Sequence, residues 1–145
     1  PMGRQGTNLH FDIAKISLHT ILFNLAICLI GWLGRDVAMD TYIREVVRKL
    51  MDGLASQTGM VRVYAYGSRV RGDCDPGSDL DLLVELRDVT ATARRRILDR
   101  AWELSLEEGY VISVVIVSQE AFERGPLSIS QFARNVRGEG VEIAA

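Results

Sequence analysis

Residues 67–85 read Gly67-Ser68-Arg69-Val70-Arg71-Gly72-Asp73-Cys74-Asp75-Pro76-Gly77-Ser78-Asp79-Leu80-Asp81-Leu82-Leu83-Val84-Glu85. The run leaves one strand-like segment and enters another, with polar residues packed between apolar flanks. Asp79 and Asp81 are two positions apart on a β-rich segment, so the strand period of two places both carboxylates on one face. Carboxylates that close repel each other unless a proton or a cation separates them. A divalent metal relieves that repulsion through hard oxygen ligands. Solvated acids at a strand entrance are the plainer reading of the same pair.

The turn before them adds weight to the metal reading. Gly67 permits close backbone approach, and exposed amides with the Ser68 hydroxyl can hold phosphate oxygens. Ser68 is equally suited to capping the turn that follows. It is a poor nucleophile here, because no histidine or lysine lies nearby in sequence to activate it. Arg69 and Arg71 flank this position, either as phosphate partners or as ordinary surface ion pairs with Asp73 and Asp75. Pro76-Gly77 signals a turn, and Ser78 can cap or steady the loop ahead of Asp79.

Working outward, Val61–Tyr66 reads as the strand before the motif and Leu80–Leu86 as the strand that carries it. Residues 40–54 show helical periodicity, with Ile43, Val46, Val47, Leu50, Met51 and Leu54 on the apolar side. Asp36 or Asp40 is a candidate cap for that helix. Thr90 is the expected cap of a helix over 91–108, which Gly109 stops. Its buried stripe is expected at Ile97, Ala101 and Leu104, with Leu98 and Trp102 as further candidates. Tyr110–Val117 is nearly all apolar, the pattern of a central strand covered on both faces. A short helix over 120–123, a final helix holding Phe132 and Val136 behind Ser128 or Ser130, and a terminal 141–143 segment complete the pattern. Helices alternating with strands give an α/β fold with a small mixed sheet and packed helices.

The 145 residues fit one domain plus an extension, and 48% hydrophobic content supports a real core. Residues 1–38 are read as an N-terminal extension and 39–145 as the domain. Within the extension, Leu18–Leu33 is strongly apolar but interrupted by His19, Thr20 and Asn24. A helix packed on the domain or on a partner is expected there, in preference to a membrane span. A net charge of −2 argues against broad nucleic-acid binding. Cys28 and Cys74 lack metal-ligand or disulfide-scaffold spacing, which points to a reducing, cytoplasmic setting. His10 and His19 lie outside the motif, so a histidine-based zinc site or a serine–histidine triad has little support. The Arg94-Arg95-Arg96 cluster reads as a solvated helix face or, alternatively, as a partner surface.

Gly67-Ser68, ten intervening residues and Asp79-Leu80-Asp81 together resemble the signature of the nucleotidyltransferase superfamily that includes DNA polymerase beta. The wording of 67–86 is especially similar to minimal nucleotidyltransferases of bacteria and archaea, and the resemblance covers about residues 40–143. It implies a small mixed-sheet nucleotidyltransferase fold. It implies ATP as nucleotide substrate, with Gly67, Ser68, Arg69 and Ser78 at the nucleotide, and Mg2+ on Asp79 and Asp81, which would also be catalytic. The implied reaction moves AMP to a hydroxyl acceptor. In the antitoxin version of this family the acceptor is a tyrosine of a HEPN-type toxin, and a homo-oligomer is also implied as possible. The resemblance also leads one to expect a third carboxylate on the following core strand. Ser113 stands there instead, and an uncharged hydroxyl is a weak base. A catalytically weakened nucleotide-binding antitoxin or scaffold, acting by protein binding, is therefore the alternative. Glu85 shares the parity of Asp79 and Asp81 but lies about 13 Å from Asp81 along an extended strand. Glu107 and Glu108 serve as substitutes only if the fold brings them inward.

Overall fold

The computed structural model describes residues 35–73, 75 and 77–144. The expected apolar segment at 18–33 lies outside them. Helix α1 runs Arg35–Met51, so Asp36 and Asp40 fall inside it and neither caps it. The expected domain boundary at residue 39 also falls within this helix. After a turn and the short helix α2 (Ala55–Thr58), strand β1 covers Met60–Tyr66. The four-residue α3 (Ser68–Arg71) leads through the loop to β2 (Leu80–Leu86).

Helix α4 (Ala91–Glu108) starts as the sequence indicates. The Thr90 hydroxyl accepts from the Ala93 amide, and Gly109 closes the helix in the left-handed region. Strand β3 (Ile112–Ser118) follows. Then come α5 (Gln119–Glu123), a 3-10 turn (Pro126–Ile129), α6 (Gln131–Glu139) behind its cap Ser130, and β4 (Val141–Ala144).

The sheet order is β3-β2-β1-β4. β1 pairs antiparallel with β2 and β4, while β2 and β3 run parallel, so the sheet is mixed. The strand period of two divides the side chains between the two faces. Leu80, Leu82, Val84 and Leu86 of β2 join Val63, Ala65, Ile112 and Ile116 beneath α1 and α4, in the larger core with Ile43, Val46, Val47, Leu50, Ile97, Ala101 and Leu104. The opposite face carries a smaller cluster, in which Tyr64 and Leu83 meet Phe122, Ala133 and Val136 from α5 and α6.

Two expectations need correction. β3 is an edge strand, not a central one, and Val111 just before it and Val115 in its middle are exposed. An apolar run of this length does not by itself distinguish edge from centre. On α4, Leu98 and Trp102 lie outside the buried stripe, and Trp102 is 61% exposed. The Arg94–Arg96 cluster is exposed, with Arg95 paired to Asp99 and Arg96 bonded to Gln57. Among the described residues no helix is long and apolar enough to cross a membrane.

The helix-covered layer is fastened at one end by a buried carboxylate. Glu108 accepts from the Tyr42 hydroxyl at 2.8 Å and from Lys49 Nζ at 2.9 Å. Removing it takes the acceptor at 2.8 Å from the buried Tyr42 hydroxyl and the partner from Lys49, whereas exposed Glu107 pairs with Arg100 at the surface. Glu108→Ala is therefore expected to lower unfolding stability by about 2 kcal/mol, and Glu107→Ala by less than about 1 kcal/mol. Urea midpoints of the two variants test the difference.

Candidate active site

The site begins where β1 ends. At Gly67 the chain turns away from Tyr66 with φ 84° and ψ −162°, a region essentially restricted to glycine. Space makes a second demand, since a Cβ on Gly67 would stand 2.5 Å from Oδ2 of Asp81. Both demands follow from the antiparallel register, which sets Tyr66 opposite Asp81. The turn and the carboxylate are thus in direct contact across the ten residues between Ser68 and Asp79.

The intervening loop is held from within. Arg69 is buried; its Nε donates to the Ser78 carbonyl at 2.7 Å, and its guanidinium lies 3.9 Å above the Tyr110 ring. It ties the motif loop to the segment ahead of β3, and its burial is at odds with the surface ion pair that the sequence also allowed. Ser78 steadies the loop, as one of its two sequence readings holds. Its hydroxyl accepts from the Asp75 amide and its amide donates to the Asp75 carbonyl, both at 2.9 Å. Ser68 opens α3 directly after Gly67 and is half-buried. Arg71 is the exposed arginine of the pair, bridging Asp73 at 3.3 Å and Glu139 of α6 at 3.2 Å.

Asp79 is exposed just before β2, and Asp81 is half-buried on the face away from α1 and α4. Burial, reinforced by the charge of Asp79, holds the Asp81 carboxyl above the usual carboxylate range, with Arg71 opposing. Burial also raises the Tyr66 hydroxyl, and the Asp81 charge adds to it. Among the described residues neither aspartate has an ion-pair partner within salt-bridge distance. Ser113 pairs with Asp81 in the parallel β2–β3 register. The hydroxyl therefore sits beside the aspartate on the same face, at the position where the sequence expects a third acid.

The other acids do not fill that gap. Glu108 is buried but committed to Tyr42 and Lys49 in the opposite layer. Glu85 shares the face of Asp81 yet lies at the far end of β2. It is fully buried and approaches Arg62 at 3.5 Å, while Arg62 also reaches Glu123 at 3.2 Å and Glu142 at 3.7 Å. Among the described residues neither Glu85 oxygen has a hydrogen-bond partner.

A cavity of about 220 Å³ adjoins the cradle that the Gly67 turn forms against Asp81. Tyr66 and Gly67 form one side of it, Phe132, Asn135 and Glu139 of α6 form another, and Arg71 lies at its edge. The motif spacing gave no hint of these α6 residues, because they come from a segment more than fifty positions later. Only the helical period, which marks Phe132 and Val136 as inward, brings α6 to the sheet at all.

The sequence matches the family described as nucleotidyltransferase domain over residues 47–137. Two solved structures are similar. One, described as a minimal nucleotidyltransferase, is 30% identical, covers 71% of this chain and 93% of its own, and has a TM-score of 0.45. The other, described as a nucleotidyltransferase from Sulfolobus solfataricus, is 17% identical, covers 78% of this chain and 89% of its own, and has a TM-score of 0.46. No curated protein matches the sequence.

Two outcomes follow from this geometry. Gly67→Ala is expected to cost about 2–3 kcal/mol in a urea titration, and Asp81→Ala in the same chain should recover the part due to collision, leaving the backbone strain. A double-mutant cycle reads that coupling. Glu85 behaves differently with pH. Burial raises its carboxyl above the ordinary 4.5, Arg62 opposes, and Glu123 and Glu142 add to the rise. The native state therefore keeps a proton that the unfolded chain has released. Stability should fall as pH climbs from about 4.5 through the raised native value. Glu85→Gln should remove that part of the slope, while the slope of the same sign from Asp81 stays. Unfolding free energies measured across pH 4–8 decide this.

Proposed function

The chain belongs to the nucleotidyltransferase domain family, and from that premise we propose that it transfers AMP from ATP to a hydroxyl acceptor with Mg2+ as cofactor. The observation that carries this reading is the contact between the Gly67-Ser68 turn and Asp81. It joins a glycine that allows close backbone approach to a carboxylate pair with no cation within salt-bridge distance among the described residues.

The donor set fits the ion. Two carboxylates offer hard oxygens to Mg2+, which retains water and takes phosphate oxygens as further ligands. Among the described residues no group of three or more His, Cys, Asp or Glu side chains is placed to hold a metal. The triphosphate is accordingly part of the binding set in this reading. When bound, Mg2+ neutralises charge on the triphosphate and on the departing pyrophosphate.

The chain's own groups do the positioning. Gly67 lets the backbone come close to the phosphates, and Ser68 donates its hydroxyl to a phosphate oxygen. Asp79 and Asp81 would hold the cofactor, which would supply charge neutralisation at the phosphates, and Arg69 keeps the loop in register by way of Ser78. The acceptor oxygen forms a bond to the α-phosphorus, the bond from that phosphorus to the bridging oxygen breaks, and pyrophosphate leaves. The hydroxyl proton goes to solvent, because Ser113 occupies the place of a carboxylate base. The resemblance to minimal nucleotidyltransferases of the antitoxin kind supports a tyrosine of a HEPN-type toxin as acceptor.

Ser113 also favours a second reading, in which the protein binds nucleotide and partner but turns over weakly, as an antitoxin or scaffold. Incubation with Mg2+, labelled ATP and a cognate partner, followed by intact-mass measurement, separates the two. Transfer by the wild type that is lost in Asp79→Ala/Asp81→Ala supports the enzyme. A silent wild type whose Ser113→Asp variant transfers supports the weakened binder. In an active wild type, Ser113→Asp should raise the rate about a hundredfold by supplying the base. Silence in both proteins, with folding intact, removes the enzyme reading, and absence of nucleotide and partner binding in the same preparation removes the binder as well.

A further inference from the structure

We infer that the cavity between β1 and α6 is a nucleobase subsite, selective for adenine, built from Tyr66, Phe132 and Asn135. The inference rests on the nucleotidyl-transfer reading and adds to it the place and the chemistry of base recognition. Nothing in the 67–85 motif specifies either.

Location comes first. The cavity shares Gly67 with the proposed phosphate cradle, and Tyr66 stands opposite Asp81 in the sheet. A group in this cavity is therefore covalently within reach of phosphates held at Gly67-Ser68. Its volume of about 220 Å³ lies below the usual range for a whole drug-sized ligand, about 300–1,000 Å³. It suits a single ring system.

The lining then selects the kind of ring. Tyr66 and Phe132 meet edge-on, with centroids 5.7 Å apart and planes at 84°. Such a perpendicular pair makes an aromatic corner on which a planar base can lie, and base–aromatic contact is favourable for any π-face. Charge at the cavity edge is already paired. Arg71 and Glu139 bond across it at 3.2 Å, so no free cation is offered to a phosphate and no free anion to an amine.

Hydrogen bonding narrows the choice further. The Asn135 carbonyl accepts from Gln131 Nε2 at 2.7 Å. That bond uses one of its two lone pairs and leaves the amide hydrogens available. One acceptor beside one donor is the complement of the N6 amino group and N7 of adenine, the pairing asparagine makes with that base elsewhere. Guanine presents an acceptor at the position of the amino group and forfeits one of the two bonds.

Titration calorimetry in Mg2+ with ATP, GTP and inorganic tripolyphosphate tests the assignment. Asn135 is exposed, so Asn135→Ala leaves the core intact. It should weaken ATP binding about tenfold and erase the preference for ATP over GTP, with tripolyphosphate affinity unchanged. Phe132→Leu, which keeps an apolar side chain against Tyr66, should weaken ATP and GTP alike and spare tripolyphosphate. If both variants bind ATP as the wild type does, the subsite is elsewhere and the inference falls. It falls equally if Asn135→Ala binds ATP normally but transfers poorly, since the cavity would then seat the acceptor. Binding of tripolyphosphate with no gain for ATP in the wild type overturns the inference alone. Failure of the wild type to bind either compound overturns the nucleotidyl-transfer reading as well.

Discussion

The carboxylate of Asp81 occupies the space that a side chain at position 67 would need. That steric fact organises the site. It requires glycine at the end of β1, it sends the chain into a conformation other residues avoid, and it brings the backbone of the turn against an acid from the neighbouring strand. The loop that returns to Asp79 must then close without pulling the two apart. Arg69 secures the closure by donating to the Ser78 carbonyl while its guanidinium rests on Tyr110. A cation–aromatic contact of this kind, shielded from water, is worth more than its exposed counterpart. The arginine nearest the glycine–serine pair is in this way buried at the root of the loop, and the one two positions later remains at the surface.

Strand β2 places two carboxylates of its own on one face and treats them oppositely. At the α5 end, Glu85 is fully buried, with Arg62 at 3.5 Å and that same arginine shared with Glu123 and Glu142. The charge is answered inside the protein, though imperfectly, because neither oxygen accepts a hydrogen bond among the described residues. At the other end, Asp81 faces Asp79, and no cation lies within salt-bridge distance among the described residues. Two acids raised by burial thus differ in what balances them. One is a closed structural arrangement, and the other needs a proton or a bound cation to be complete.

The sequence made the strand pair and the motif legible because both depend on local order. Alternation set β1 and β2, and the glycine–serine pair with two acids at fixed spacing located the cradle. The position of Ser113 was legible too, since parity along β3 and the parallel register bring it beside Asp81. Contacts decided by tertiary packing were not legible. Whether Arg69 points outward or under Tyr110 depends on where β3 begins in space, which no local period encodes. The same holds for β3 itself: an unbroken apolar run suits burial on both faces, yet the strand ends up at the sheet edge with Val111 and Val115 exposed. The α6 wall of the cavity was hidden for a related reason, as its aromatic and amide side chains meet Tyr66 only through the return of the chain across the sheet.

Alternation along β2 also separates the demands of folding from those of chemistry. Leu80, Leu82, Val84 and Leu86 point into the larger core, while Asp81 and Leu83 point to the face that carries the site. A change at Asp81 alters the cradle without opening a cavity under α1 or α4. The same argument applies with more force to Ser113. It neighbours Asp81 on a strand whose outer edge carries no partner strand among the described residues, and its side chain is only half-buried. An acid there would meet solvent on one side and the Asp79–Asp81 pair on the other. Its cost would be carboxylate repulsion, which a bound divalent cation relieves, with no loss of packing. Serine at this position is thus a choice about the charge of the site that the fold itself does not dictate.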